Sequence, residues 1–422
     1  MKAPFSWDHY SDQPYQLKDR PFKKRMRRKE WQSFVATLFS TLLILPLSLL
    51  FQYLIPKRSI SSQNFFGMSI NLDKDPKLTK TLIDELSLTT LLIRFPLWEI
   101  KRIEEYVTFI KTYQEKKIII NLMQDREHID DPKQLHNNLL KVFAAFSPYI
   151  EGIQVGSTIN RAKWGFFSVQ EYLRFYQVAY KMKSQDFPKL KLLGPSVIDF
   201  EYHFTIHALF NFFKIQYDAV SALLYVDRRG APENTQMGFD LTKKINLLDT
   251  LTVLSPKSKR KIYITETNWP ISHTAPYAPT SEFECVDEES YANFMVRYYL
   301  IAFASQKVDA VYWHQLIAPG YGLVDNREAI KKRTAFYAFK TMLEQLQGMT
   351  FHSYGVKEEL HTLILSNDIQ QTTVQWSLKP IMITCDINIH YLDRDANVLQ
   401  DEQLTLSQSP IYLIKKTTSH EC

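Results

Sequence analysis

The chain has 422 residues, 45% of them hydrophobic and 14% aromatic, enough for one large core and an accessory module. Its formal charge of +6 is gathered at one end: residues 1–60 hold 11 Lys and Arg against 4 Asp and Glu, and the remainder holds 40 against 41. The body therefore gives no electrostatic case for nucleic acid, and three scattered cysteines with no C-x-x-C pair (Cys285, Cys385 and Cys422) argue against a zinc site, so that neither metal nor cofactor is expected.

Residues 1–30 are polar and aromatic, with a basic run from Lys23 to Lys29, and read as a short, disordered tail on the cytoplasmic side. Residues 31–55 follow, with no charge between Gln32 and Pro56. About 20 apolar residues span a bilayer. The stretch lacks a small-x-small cleavage site and reads as an uncleaved anchor in the inner membrane. The basic residues before it outnumber Lys57 and Arg58 after it, which predicts a single-pass protein with its N-terminus in the cytoplasm and its body in the periplasm or outside.

Residues 56–64 form a polar linker. Apolar strand-like runs then alternate with amphipathic stretches over residues 65–347. Strands are predicted at 66–72, 89–95, 117–123, 150–155, 190–194, 219–225, 261–265 and 310–313. Helices are predicted at 76–86, 100–115, 132–146, 169–183, 202–213, 239–254, 287–305 and 329–347. Eight such units have the rhythm of an α/β (β/α)8 TIM barrel. A doubly wound open sheet is the competing topology, but the chain has neither G-x-G-x-x-G after the first strand nor G-x-x-x-x-G-K-[ST] anywhere. Residues 348–422 change to short alternating runs separated by turn residues, which predicts a small antiparallel β module of β-sandwich type.

The stretch KIYITETNWP (261–270) carries the chemistry. A β-branched run ends in Glu266, and Asn268, Trp269 and Pro270 stop the strand. A carboxylate in that position needs a partner or a rim, and in a (β/α)8 barrel the C-terminal strand ends form the rim where catalysis collects. The other strand ends supply Arg94 and Trp98, Gln124 and Asp125, Asn160 and Arg161 with Lys163 and Trp164 just after, Tyr225 with Asp227 and Arg228, and Trp313 with His314 and Gln315. Arginines, amides, carboxylates and tryptophans on one rim suit a carbohydrate site, because sugars stack their C–H faces on rings and offer hydroxyls to charged partners. The predicted substrate-binding set is Arg94, Asn160, Arg161, Lys163, Trp164, Asp227, Arg228, Trp269 and Trp313.

On these residues the body, roughly 64–413, resembles the retaining glycoside hydrolases of clan A, nearest the β-xylosidase and α-iduronidase group. Thr265-Glu266-Thr267-Asn268-Trp269 is similar to the family's T-E-x-x-W, which implies Glu266 as nucleophile. Trp313 matches a strand-8 tryptophan that floors the sugar subsite. Tyr225 matches a strand-6 aromatic whose hydroxyl contacts the nucleophile, Arg94 matches a strand-2 arginine of the same role, and Ser409-Pro410-Ile411-Tyr412 resembles the last strand of such accessory modules. Strand 4 departs from the pattern. Where the family ends in Gly-Asn-Glu, with Glu as acid/base, this chain reads Gly156-Ser157-Thr158, and a threonine hydroxyl is too weak an acid to protonate a leaving oxygen near neutral pH.

Three outcomes follow from that departure. Another acid substitutes, from Asp125, Asp199, Glu201, Asp227 or Glu233. The site binds glycans without turning them over. Or the substrate is an activated or anionic sugar, which the density of Arg161, Lys163, Arg228 and Arg229 would suit. The long loop 225–236 resembles loops in membrane-anchored glycosyl hydrolases of bacterial envelope polysaccharide loci. The expected function is a membrane-anchored protein acting on a cell-envelope polysaccharide, and the alternative is a catalytically inactive glycan-binding or scaffold protein that works with envelope-assembly proteins.

Overall fold

A computed structural model describes residues 4–227 and 230–416. Arg228, Arg229 and Cys422 lie outside the described residues. The eight strands expected from the sequence close into one parallel barrel. They are β1 (Phe66–Ile70), β2 (Thr90–Pro96), β3 (Lys117–Met123), β4 (Gly152–Val155), β5 (Lys191–Ile198), β6 (Ala219–Leu223), β7 (Ile262–Thr267) and β8 (Ala310–His314). β8 pairs in parallel with both β7 and β1, which completes the ring without a free edge.

Between the strands run α3 (Pro76–Glu85), α4 (Ile103–Lys111), α5 (Pro132–Phe146), α6 (Val169–Asp186), α7 (Tyr202–Leu209), α8 (Leu241–Leu254), α9 (Glu288–Ala304) and α10 (Thr334–Leu346). Their starts are written locally. Asp75, Asp131, Ser168, Asp240 and Asp287 each accept a first-turn N–H, and Pro76 and Pro132 fill the first helical position, where a missing N–H costs nothing. Alternate residues of each strand face inward and outward. Leu92, Ile119, Leu193, Ala219, Tyr263, Ala310 and Tyr312 pack together as one inner cluster, and a much larger cluster fills the layer between strands and helices.

β5 runs further than the sequence suggests. Gly194-Pro195 reads as a strand end, yet the strand continues past it by shifting register between Pro195 and Val197, with Ser196 at φ 56°. A bulge is one of the places where a strand tolerates the missing proline N–H.

The C-terminal module is an antiparallel assembly of β9 (Thr350–Lys357), β10 (Leu360–Ser366), β11 (Gln370–Ser377), β12 (Ile381–Thr384), β13 (His390–Leu392), β14 (Val398–Leu399), β15 (Gln403–Leu406) and β16 (Ile411–Lys416). Six strands pair in the order β9-β10-β11-β16-β13-β14, and β12 pairs with β15. Glu233, from the loop after β6, fastens the module to the barrel. Its carboxylate accepts from Arg297 Nη2 at 2.8 Å and from Trp376 Nε1 at 2.9 Å.

The N-terminal region departs from the expected disordered tail. Residues 20–29 form a helix, α1 (Arg20–Lys29), capped by Asp19, and residues 5–17 lie over the C-terminal mouth of the barrel. Next comes α2 (Trp31–Phe51), which among the described residues is the one helix long and apolar enough to cross a membrane. It runs down the outside of the barrel against α7 and α8. Its small polar residues face the protein: Thr37 Oγ1 is 2.7 Å from His207 Nδ1, and Ser33 Oγ accepts from Gln170 N at 3.2 Å. Its large apolar residues, including Phe34, Leu38, Phe39, Leu42 and Leu43, point outward and are exposed. At the opposite end of the barrel, Arg58 pairs with Asp309 at 2.9 Å. In this arrangement the tail and the barrel lie on the same side of α2.

Candidate active site

Glu266 sits at the penultimate position of β7. Opposite it, the β7–β8 ladder shifts register between Val311 and Trp313, an irregularity of the kind that re-aims side chains beside active sites. Glu266 lines a cavity of about 250 Å3 at the C-terminal mouth. Tyr225, two residues beyond β6, donates its hydroxyl to Glu266 Oε1 at 2.8 Å. Arg94, on β2, is only 3% exposed and lines the same cavity.

Arg161, Lys163 and Trp164, in the loop after β4, line the cavity too. Arg161 is engaged on both sides, with Asp199 and Glu201 each at 2.6 Å. Burial pulls the Lys163 ammonium down from its ordinary value to about 8, with the nearby Glu266 charge opposing that shift. Trp164 packs edge-on against Trp7 of the tail at 5.8 Å.

The remaining predicted residues are placed elsewhere. Asn160 lies in an adjoining recess, where its side chain ties the loop after β4 to Ile198 O at 3.0 Å and to Glu201 at 2.7 Å. Trp269 lines a larger recess of about 660 Å3 beside the cavity and is 1% exposed, with its indole N–H on Gly230 O at 3.1 Å. Trp313 does not reach the cavity wall. It is fully buried, stacked on Trp269 with centroids 5.7 Å apart, and its indole N–H donates to Tyr291 Oη at 2.7 Å. Asp227 is held in its loop, where its carbonyl accepts from Gly230 N at 2.8 Å.

The end of β4 places Thr158 on the cavity wall, at φ 52°. Gln124 holds this turn by accepting from Ser157 N and donating to Ser157 O, both at 2.9 Å. Three of the substitute acids are committed to structure. Glu201 is held by Arg161 and Asn160. Asp125 binds His128 Nδ1 at 2.7 Å, and Glu233 binds Arg297 and Trp376. The carboxylates lining the cavity, among the described residues, are Glu266, Asp199 and Asp12.

Asn268, His314, Tyr321 and the tail were not selected from the sequence. Asn268, two residues past Glu266, donates to His314 O at 2.6 Å. His314 stacks on Tyr321, and burial with Arg94 nearby pushes its pKa well below the usual histidine range, so it is neutral at physiological pH. In the tail, Ser11, Asp12, Gln13 and Gln16 form part of the cavity wall. Asn268 and His314 stand at strand ends and were visible as such, whereas nothing local marks Tyr321 or the tail.

No family model matches the chain, and no curated protein matches it by sequence. Solved structures do match. A family 39 glycoside hydrolase from Bacteroides cellulosilyticus WH2 superposes with a TM-score of 0.63 at 14% identity, covering 86% of this chain and 83% of that one. A family 39 β-xylosidase from Caulobacter crescentus gives 0.57 at 11% identity, over 86% and 98%. A family 30 endoxylanase from Clostridium papyrosolvens C71 gives 0.57 at 11% identity, over 86% and 97%. At such identities the likeness is one of fold, and in fold this chain is similar to the clan A glycoside hydrolases.

Proposed function

We propose that this chain is a membrane-anchored, glycoside hydrolase-like protein that acts on a cell-envelope polysaccharide through a retaining-type site with Glu266 as nucleophile. The observation that carries this reading is the Glu266–Tyr225 pair, a carboxylate at the end of β7 held at 2.8 Å by a phenol from the end of β6, at the mouth of a closed barrel. A retaining mechanism uses two carboxylates about 5–5.5 Å apart, one acid/base and one nucleophile. Thr158 occupies the strand-4 position where the acid would stand, so Glu266 works either on a sugar whose leaving group needs no proton or with a proton supplied by another cavity group. Losing a general acid typically slows such a reaction about 10²–10⁴-fold.

The same threonine favours a second reading, in which the cleft binds glycans without hydrolysis and the protein serves as a scaffold beside envelope-assembly proteins. Titration calorimetry with envelope polysaccharide fragments, run beside an assay for released reducing ends, separates the two. Turnover that disappears in Glu266→Gln supports the enzyme. Binding that survives Glu266→Gln, with no turnover by the wild type, supports the scaffold.

Anchoring rests on α2. Its outward Phe and Leu residues form an apolar surface larger than soluble monomers usually expose, and the basic α1 precedes it. A single-pass arrangement, with the N-terminus cytoplasmic and the barrel in the periplasm or outside, requires residues 4–30 to leave the mouth of the barrel.

A further inference from the structure

Residues 7–16 cross the mouth of the barrel above Glu266, far in sequence from every strand that forms the cavity. Their contacts resemble those of a bound ligand. Trp7 packs against Trp98 and Trp164, at centroid distances of 5.4 and 5.8 Å, and the Arg94 guanidinium lies over its ring at 5.8 Å. Gln13 accepts from Lys163 Nζ at 2.5 Å and donates to Pro279 O at 3.0 Å. Asp12 is 7% exposed and adopts φ 51°, a left-handed conformation that Asp tolerates better than most residues. Its carboxylate pairs with Lys74 Nζ at 2.9 Å, Tyr321 Oη stands 3.5 Å from Oδ2, and its carbonyl accepts from Arg94 Nη2 at 3.1 Å.

This arrangement leaves a cation under-satisfied. Arg94 Nη1 is buried and has no hydrogen-bond partner among the described residues. A buried guanidinium is costly unless paired, and here its acceptors are the Met123 sulfur, at 3.3 Å from Nε, and one carbonyl oxygen of the tail, neither of them charged. A planar carboxylate in place of that carbonyl would accept two parallel N–H bonds from Arg94, and the Lys74 ammonium, which now holds the Asp12 carboxylate, adds a second positive charge to the subsite. With the tail withdrawn, Arg94 and Lys163 of the cavity wall and Lys74, the partner of the Asp12 carboxylate, all lose their tail contacts, while Asp199 stays engaged by Arg161.

We propose that residues 7–16 are an internal occupant of the glycan cleft, and that Asp12 fills a subsite built for an acidic group on the glycan, the carboxylate of a uronic-acid-type sugar. The inference rests on the glycan-cleft reading above. The tail lowers apparent affinity by the fraction of molecules in which the cleft is closed, and any arrangement that takes it off the mouth, including α2 crossing a bilayer, opens the subsite.

Full-length wild type, Asp12→Ala and the shape-preserving Asp12→Asn are titrated calorimetrically with D-glucuronate and D-glucose, and hydrogen exchange over residues 7–16 is followed in parallel. Both variants are expected to exchange faster over 7–16, to bind glucuronate at least tenfold tighter than wild type, and to prefer it to glucose at least tenfold. Lys74→Ala should also release the tail but gain no glucuronate affinity. Unchanged exchange in both Asp12 variants makes the tail a fixed part of the wall and overturns the proposal. Released tails with equal affinity for the two sugars overturn the acidic subsite while leaving the carbohydrate reading standing. Released tails with no affinity for either sugar sink both.

Discussion

Lys163 gives the sharpest stability prediction. Its ammonium is pulled from an ordinary 10.5 to about 8 by burial, which corresponds to about 3 kcal/mol of penalty on the folded state at neutral pH. Lys163→Met keeps the length of the stem and removes the charge. It also takes a donor from Gln13 Oε1, now at 2.5 Å, a loss of about 1 kcal/mol. The net expectation at pH 7 is a gain of about 2 kcal/mol. The sign depends on pH in a defined way. The folded-state pKa lies below the unfolded one, so between pH 8 and 10.5 the unfolded wild-type chain holds more protons, and wild-type stability rises through that window. The variant lacks that rise. By about pH 10.5 its advantage should reverse into a deficit of about 1 kcal/mol, leaving only the lost Gln13 contact. Urea unfolding at pH 7, 8.5 and 10 reads the effect directly. A variant less stable than wild type at pH 7, or a difference that does not change with pH, refutes the argument that Lys163 is a buried cation against the tail.

Tyr225→Phe removes the 2.8 Å bond to Glu266, and a bond to a charged group contributes about 1.5–3 kcal/mol, so kcat/KM on any turned-over glycoside should fall about 10–150-fold; an unchanged value places the phenol outside the working site. Glu233→Ala leaves the buried Arg297, whose side chain is 0% exposed, with Gln408 O but without this carboxylate, and should cost about 3–5 kcal/mol in denaturant unfolding; a loss below about 1 kcal/mol would mean that the carboxylate does not fasten the β module to the barrel. In sealed proteoliposomes with the barrel outside, protease should leave residues 4–30 intact if α2 crosses the bilayer; cleavage in that tail would show that it shares a side with the barrel.

The barrel was legible because its signals are local. Strand runs, amphipathic helical stretches and the change of rhythm near residue 348 each occupy a few neighbouring residues. The Glu266–Tyr225 pair was legible for a related reason, since strand ends in a parallel barrel converge whatever their separation in sequence. Trp313 shows where that reasoning fell short. Ala310 and Tyr312 face the barrel interior, so the period-two alternation of β8 turns Trp313 outward onto Tyr291, Tyr298 and Tyr299 of α9. The pleat therefore assigns the cavity position to the next residue, His314. The tail was illegible for a different reason. Its ordering depends on pairs such as Asp12–Lys74, Asp12–Arg94 and Gln13–Lys163, and no periodicity or cap within residues 5–17 announces partners that distant.

The most direct test of Glu266 as nucleophile uses a panel of 2-deoxy-2-fluoroglycosyl fluorides. Fluoride departs without a proton, so the result does not depend on an acid at the end of β4, and the fluorinated sugar stays on the residue that attacks it. Intact-mass and peptide spectra should show one added sugar on the peptide carrying Glu266 in wild type and none in Glu266→Gln. A label on a different carboxylate, or none from any sugar of the panel on a protein that still binds glycan, contradicts the assignment.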